Sequence, residues 1–531
     1  MIREALYHQA DSSYCFSPGE GKVELRFRAA ANDKLSIAVI YNCKYEFHLA
    51  QKSAELVPGI TDGLYQYYSV TLHLEDPRLV YIFKITEGTE RFYFTEEGLD
   101  GDYDFTDSHF TAFQMPYVNV TDSLVSIDWL QNASFYQIFI DRFSQSHDAE
   151  KPTGYINLPW GNKPSPCSFA GGDLNGITEK LDYIHSLGMT ALYLTPIFSS
   201  PSNHKYDTWD YFEIDPMFGT KEDLRNLIKK AHDKGIRVVL DAVFNHSGEG
   251  FAPWQDVLKN GKKSKYIDWF CQNANGFAHF ASSKYMPKLN TENHECAEYL
   301  LSVADYWTKE FHVDGWRLDV SDEVTHDFWR KFRKRVKAIH PDCAIIGENW
   351  HNAEPYLRGD QFDSVMNYAF TKVMLDYFVK NSVNEAELAN RLNAILVRNT
   401  DTANNMMFNL LDNHDTHRFI TLAGGDAKKL RAAIALGYLF PGSFCLYYGT
   451  ENEMNGGYDP DCRRCFDWSF PPGATAEVIK KMTKLKKSDL MKYGAVNIFS
   501  ENGKFILERV YQNEKIIFTM QGFDWKITGM P

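Results

Sequence analysis

Apolar and polar residues alternate in short runs over residues 1 to about 120: VELRFRA, LSIAVIY, YQYYSVTLHL, LVYIFKIT and RFYFT, parted by turn-forming Gly and Asn-Asp pieces. A period of two puts every second side chain on one face of a strand, so this region predicts an N-terminal β-sandwich. From FYQIFIDRF (135–143) the rhythm changes, and buried-looking runs alternate with helical stretches. The runs are TALYLTPIF (190–198), RVVLDAVF (237–244), VDGWRLDV (313–320), CAIIGENW (343–350), SVMNYAF (364–370), MMFNLLD (406–412) and SFCLYYG (443–449). Eight strands with helices between most of them predict an α/β fold, a parallel (β/α)₈ barrel over 121–490. The stretch from His246 to about Asn293 is too long for a simple loop and predicts an inserted subdomain, 246–293. The tail VNIFSENGKFILERVYQNEKIIFTMQ alternates again and predicts a short C-terminal β domain over 491–531.

A length of 531 residues agrees with two or three domains. The net charge of −14 argues against nucleic acid or an anionic membrane as the main partner. The basic helix VTHDFWRKFRKRVKAIH is expected to be a solvated outer face. No run reaches the ~20 apolar residues of a membrane span, and the first residues lack the pattern of a signal peptide. Nine scattered cysteines suit reduced thiols, so the expected compartment is the cytoplasm. The C-x-x-C of DCRRC, Cys462 and Cys465, has no second pair and is expected to be inert.

Active sites of such barrels lie where strands end. Polar groups stand directly after apolar strands in DAVFNH (241–246), GWRLDV (315–320), GENW (347–350) and LLDNHD (410–415). Placing charge there costs several kcal/mol unless it is paired or functional. One such strand end reads as a structural cap, but four on separate strands point to a cleft. Asp319, Glu348 and Asp415 would converge there. Paired carboxyl groups ~5 Å apart, one a nucleophile and one an acid that turns base, are what retaining glycoside hydrolysis needs. Arg317, two residues before Asp319, shares its side of the strand and can hold it ionised.

In order and content, these four segments resemble the sequence blocks of the α-amylase family. The resemblance implies Asp319 as nucleophile, Glu348 as general acid/base and Asp415 as a transition-state stabiliser gripping sugar hydroxyls. It implies substrate contacts at Arg317, His246 and His414, a stacking platform at Tyr206 in KYDTWDY, and a substrate-binding role for Trp350. Asp241 falls on a position that is largely structural. MPKLN (286–290), FAGGDLNGI, NHKYDT and GGYDPDCRR are similar to the neopullulanase, cyclomaltodextrinase and maltogenic amylase branch. That branch implies a starch-binding-like sandwich at the N-terminus and a homodimer in which one subunit's sandwich caps the other's barrel.

Departures bear on specificity. Asn349 stands where an aliphatic residue is common, Ser321-Asp322 replaces an Ala-Asn pair, and Glu453 occupies a common Gly position. The branch often binds calcium after the first barrel strand. SQSHDAEK (144–151) offers Gln145 and His147 there, and calcium wants oxygen ligands, so neither metal nor other cofactor is expected. The aromatics Trp254, Phe277, Phe280 and Tyr285 of the insertion are sugar platforms or its own small core, and Trp316 is expected to pack between barrel and helix. The expected substrates are cyclodextrins, maltooligosaccharides or pullulan, cut at α-1,4 bonds with some transglycosylation. Two alternatives stand beside this, an α-1,6-acting debranching enzyme or glucosidase and a catalytically inactive carbohydrate-binding scaffold.

Overall fold

The structure, a computed structural model, describes every residue except 20, 116–122, 148–150, 153, 275, 470 and 530–531. Two antiparallel sheets form the N-terminal sandwich. One runs Cys15–Gly19, Lys22–Ala30, Tyr65–His73, Val57–Thr61; the other runs Lys52–Glu55, Ser36–Cys43, Leu79–Glu87, Glu90–Thr95, Gly98–Asp100. Alternation sets its core: Val23, Leu25, Phe27 and Ala29 point inward from one strand and meet Val39, Phe83 and Ile85 of the opposite sheet.

The barrel strands are Ser134–Ile138, Ala191–Leu194, Arg237–Ala242, Gly315–Leu318, Ala344–Gly347, Ser364–Val365, Phe408–Leu410 and Ser443–Tyr447. They pair in parallel, and the ring closes between the sixth and seventh through a bridge of Met366 with Phe408, where the Asn367 N–H donates to the Phe408 carbonyl at 2.8 Å. The strands are shorter than the apolar runs that announced them. In 364–370 the strand stops at Val365 because the Asn367 side chain accepts from the Phe370 N–H and starts the helix Tyr368–Met374. In 343–350 the ladder ends at Gly347, which frees Glu348 and Trp350 from the sheet.

The insertion carries the helix Ala252–Asn260 and a small hairpin, then returns beside the third strand, where the Leu289 N–H donates to the Asn245 carbonyl at 3.0 Å. Trp254 is buried against Phe270 and Phe277, so Trp254 and Phe277 are subdomain core. Tyr285 is exposed. Trp316 is buried and donates to Thr308 Oγ1 at 3.0 Å, packing the fourth strand on the helix His294–Phe311.

The segment 115–130, MPYVNVTDSLVSIDWL, is long enough to let the sandwich lie away from its own barrel; part of it, 116–122, is outside the described residues. Instead the sandwich docks on its own barrel's flank. Arg26 Nη1 donates to the Asn399 carbonyl at 2.8 Å, and Asn393, on the helix Glu385–Arg398, donates to the Thr61 carbonyl at 2.8 Å. Asn393 also reaches the Ile498 carbonyl of the C-terminal sheet at 2.9 Å. That antiparallel sheet runs Ala495–Glu501, Lys504–Tyr511, Glu514–Gln521, Asp524–Thr528.

The basic helix His326–Ile339 buries Phe328, Trp329, Phe332 and Val336. Most of its outer cations are paired: Arg330 with Asp360, Lys331 with Asp327, Arg333 and Lys337 with Asp363, Arg335 with Glu298 and Asp305. No helix among the described residues is long and apolar enough to cross a membrane.

Candidate active site

The C-terminal ends of the strands surround a cavity of about 490 Å³, lined by Asp319, Glu348, Asp415, Tyr206, His246 and Trp350 among others. The four strand-end segments therefore meet, and the three carboxylates face one space.

Their organiser is Arg317, buried in the fourth strand. Its Nη1 donates to Asp319 Oδ1 at 2.8 Å and to Asp241 at 3.1 Å, while Nη2 stands 2.7 Å from Glu348 Oε1. Chain geometry brings Asp319 and Glu348 together as well. Val320, directly after Asp319, sits in the left-handed region at φ 45° and ψ 44°, strained for a β-branched residue. From that turn its N–H donates to Glu348 Oε2 at 3.0 Å, and Tyr368 donates to Oε1 at 3.3 Å.

Burial pushes the Asp319 carboxyl well above the usual range; Arg317 opposes this, and Glu348, Asp241 and Asp415 add to it. Asp241, also buried, is pushed up to about 6 despite Arg317 and the hydroxyls of Tyr193 and Tyr206, which donate to it at 2.7 and 2.8 Å. Asp241 is thus part of the charge cluster under the cleft as well as a structural tie.

The imidazoles are neutral. Burial pushes His204 and His246 down to about 3, and His414 well below its ordinary range. With the Gln137 amide donating to His414 Nδ1 at 2.7 Å, Nε2 carries the hydrogen and faces Tyr206 Oη at 2.6 Å and Asp415 Oδ2 at 3.1 Å. Tyr206 stacks parallel on His414 with ring centroids 5.3 Å apart. Arg317 and His414 thus lie behind the cavity wall and act on it through the carboxylates and Tyr206.

Asp415 is the most open of the three carboxylates, 34% exposed against 9% for Asp319 and 6% for Glu348. Its partner is Arg463, which reaches Asp415 Oδ1 at 3.2 Å, Asp459 at 2.9 Å and the His414 carbonyl at 2.8 Å. Arg463, Asp459, Tyr458, His204 and Met286 were not singled out from sequence, although each sits in or beside a quoted segment. Phe280 stacks on His246 at 4.6 Å and lines the cavity, which separates it from the other insertion aromatics. Trp350 is 56% exposed at the rim and stacks on Tyr368 with centroids 3.6 Å apart. Two departures touch: the Ser321 hydroxyl is 2.9 Å from both the Glu348 carbonyl and Asn349 Oδ1. Asp322 lines the cavity and pairs with His351 at 3.1 Å.

In the segment 144–151, residues 148–150 lie outside the described residues. Lys151 forms an ion pair with Asp173 at 2.5 Å and donates to the Met217 carbonyl at 2.8 Å, and Ser146 Oγ donates to the same Asp173 oxygen at 2.9 Å. Among the described residues no group of three or more His, Cys, Asp or Glu is arranged to hold a metal ion. Cys462 and Cys465 are buried free thiols, as are most of the nine.

Residues 137–279 and 272–492 match the family described as alpha amylase, catalytic domain, and residues 1–119 match that described as alpha amylase, N-terminal ig-like domain. A cyclomaltodextrinase of Thermoanaerobacter pseudethanolicus is 41% identical over 534 residues, 98% of this chain and 92% of its own length. An intracellular maltogenic amylase of Bacillus subtilis is 40% identical over 533 residues, 97% of this chain and 90% of its own. A solved structure of a cyclomaltodextrinase superposes with a TM-score of 0.92 at 36% identity, covering 98% of this chain and 91% of that one.

Proposed function

The chain belongs to the alpha-amylase family, and on that premise we propose that it is a retaining hydrolase of α-1,4 bonds in cyclodextrins, maltooligosaccharides or pullulan, with some transglycosylation. One observation carries the reading: Asp319 and Glu348 sit on the two η nitrogens of a single buried guanidinium. Such bridging favours the short carboxyl separation, ~5 Å, of a retaining mechanism over the ~6.5–9.5 Å that leaves room for a water.

In this reading Glu348 protonates the glycosidic oxygen while Asp319 attacks the anomeric carbon, giving a covalent glycosyl-enzyme. Glu348 then takes a proton from the incoming water or sugar hydroxyl. Asp415, more open and steadied by Arg463, grips sugar hydroxyls, and Tyr206 offers its face to the reacting ring. Product analysis on β-cyclodextrin, pullulan and maltotriose, with the first-formed anomer followed by NMR, tests this. The α-anomer is expected first, with cyclodextrin the preferred substrate. The β-anomer appearing first would overturn the retaining assignment. Preference for an α-1,6 bond would favour the debranching alternative, against which the MPKLN segment argues. Convergence of all three carboxylates argues against an inactive scaffold.

Cytoplasmic residence is supported by the nine free thiols and by the similarity to the intracellular maltogenic amylase of Bacillus subtilis. A homodimer is supported by the sandwich. Among the described residues it contributes no lining residue to the cavity of its own subunit, and it exposes Tyr45, Leu49 and Phe110, where the His48 and His109 rings lie 5.5 Å apart. Light scattering of the full chain across concentration tests it, and a stable monomer that still prefers cyclodextrin would place the selectivity in the insertion. Independence from calcium is supported by Lys151, whose ammonium already neutralises Asp173.

A further inference from the structure

Two polar side chains just after the proposed nucleophile and acid are buried behind the cavity wall. Ser321, two residues after Asp319, is 0% exposed, and Asn349, the residue after Glu348, is 2% exposed. The wall passes from Val320 to Asp322 and from Glu348 to Trp350, skipping both. Each stands at a departure from the residue common at its position, and in the fold the two meet.

The main-chain ladder between the fourth and fifth strands ends where the Glu348 N–H donates to the Leu318 carbonyl at 3.0 Å. Val320 then turns into the left-handed region at φ 45° and carries its chain off the sheet. A β-branched residue stays in that region only where its surroundings over-determine it. Side chains do so here. Ser321 Oγ is 2.9 Å from both the Glu348 carbonyl and Asn349 Oδ1, so its one hydrogen serves two acceptors. On the other flank the Trp329 indole donates to the Ser321 carbonyl at 2.8 Å. Farther out, Asp322 pairs with His351 at 3.1 Å across the same two segments. Asn349 Nδ2 is buried with no hydrogen-bond partner, and an idle buried amide is costly where an aliphatic side chain would not be. Among the described residues the contact with Ser321 is the one hydrogen bond this amide makes.

We propose that Ser321 and Asn349 are a coupled pair of positioning residues, a buried hydroxyl–amide lock that fixes the strand end bearing Glu348 against the turn bearing Asp319. The lock matters to the reaction only through the roles given above to Asp319 and Glu348, so it stands on that reading. Asp319 has its own tether in Arg317. Glu348 depends more on its main chain, whose carbonyl Ser321 holds. Removing the hydroxyl leaves that carbonyl and the whole Asn349 amide buried without a donor or acceptor. The segment shifts to relieve them and takes the Glu348 carboxyl with it. A misplacement on the order of 1 Å costs a reaction about 10²-fold. Removing the amide as well leaves less to relieve, because apolar replacement of both partners is nearly neutral.

The test is a double-mutant cycle of Ser321→Ala and Asn349→Ile in the full chain. It is read by kcat/KM on β-cyclodextrin, by kcat/KM on an aryl α-maltoside with a good leaving group, and by melting temperature. The aryl substrate needs little protonation, so it reports attack by Asp319 without the acid step. Ser321→Ala removes a single oxygen and should fold. It is expected to lower kcat/KM on cyclodextrin roughly 10- to 100-fold, on the aryl maltoside less than about 3-fold, and the melting temperature by roughly 1–4 °C. Asn349→Ile alone should cost roughly 3- to 10-fold on cyclodextrin, and the double variant no more than that, with its melting temperature restored. Losses that multiply in the double variant, or that are equal on the two substrates, would overturn the lock and leave the proposed function standing. A wild-type chain inactive on both substrates would overturn the function and the lock together.

Discussion

Two guanidiniums in this molecule are equally withdrawn from water, Arg317 beneath the barrel mouth and Arg509 beneath the C-terminal sheet, each 1% exposed. Around Arg317 stand three carboxylates, Asp241, Asp319 and Glu348, so acid outnumbers base three to one there. Around Arg509 there is none among the described residues. A structural ion pair needs one acid per base, and its burial already costs several kcal/mol per ion. Surplus acid at the mouth makes sense only as machinery. It presents negative charge where an oxocarbenium-like centre develops. At the other end the carbonyls of helix ends stand in place of an acid, Met491 on Arg509 and Tyr438 and Phe440 on the buried Lys486.

The largest effect expected on this contrast comes from Asp319→Asn. The fold and Arg317's other two contacts survive, but the covalent step is lost, and kcat should fall by on the order of 10⁴ to 10⁶. A variant keeping a tenth of the activity would move the nucleophile elsewhere and make the surplus acid structural. Next is Glu348→Gln, for which a loss of about 10² to 10⁴ is expected on natural glucans. Activated glucosides, whose leaving groups need little protonation, should lose far less. Equal losses on both would remove Glu348 from the acid role.

Arg317→Lys sharpens the electrostatic half of the comparison. A point ammonium cannot bridge two carboxylates as the planar fork does. Asp319 must be ionised to attack, and its carboxyl is already raised, so the acid limb of kcat/KM lies above the usual carboxylate range. Arg317 is the influence holding it down; weakening that contact raises it further and moves the limb to higher pH. Buried His204, His246 and His414 are neutral throughout and add no limb of their own near 6.5. A limb that stays still or moves down would show that Arg317 does not govern the nucleophile.

Much of the mouth was legible because barrel strands are buried on every side, so an ionisable group directly after VDGWRL, AIIG or LL is conspicuous in the chain itself. Spacing also linked Arg317 to Asp319. What was hidden is lateral. Arg463 comes from a loop of turns and 3₁₀ helix over 450–468, where no periodicity marks one arginine from the next, and only folding brings it to Asp415. Tyr368 belongs to a strand-like run whose second half is helix, so its hydroxyl could not be assigned to the mouth. Asp241 was readable as a tie and not as a charge, because its elevation comes from burial in the folded barrel, opposed by Arg317, Tyr193 and Tyr206, which only folding brings to it. Arg509 shares the inward face of its strand with Phe505 and Leu507 by the period of two, and the docked sheet buries it with them.

Lys151 is the balanced case between the two extremes, one ammonium on one carboxylate, with Asp173 2% exposed and Lys151 14%. Charge balance predicts the smallest response. EDTA should leave both melting temperature and activity unchanged within error, since a divalent cation at Asp173 would have to displace an ammonium already paired. Lys151→Gln breaks that balance on purpose. It leaves a buried carboxylate beside the Ser146 hydroxyl and the Met217 carbonyl, a set of oxygens of the kind calcium takes. The variant should melt lower by an amount worth about 1–3 kcal/mol, discounted for the partial exposure of the lysine, and should regain part of that loss on adding calcium. If EDTA destabilises the wild-type chain and calcium restores it, the ammonium is not the resident cation and a divalent ion takes its place at Asp173. If Lys151→Gln melts like the wild type with or without calcium, Asp173 is neutral or solvated, and the pair contributes nothing to the contrast.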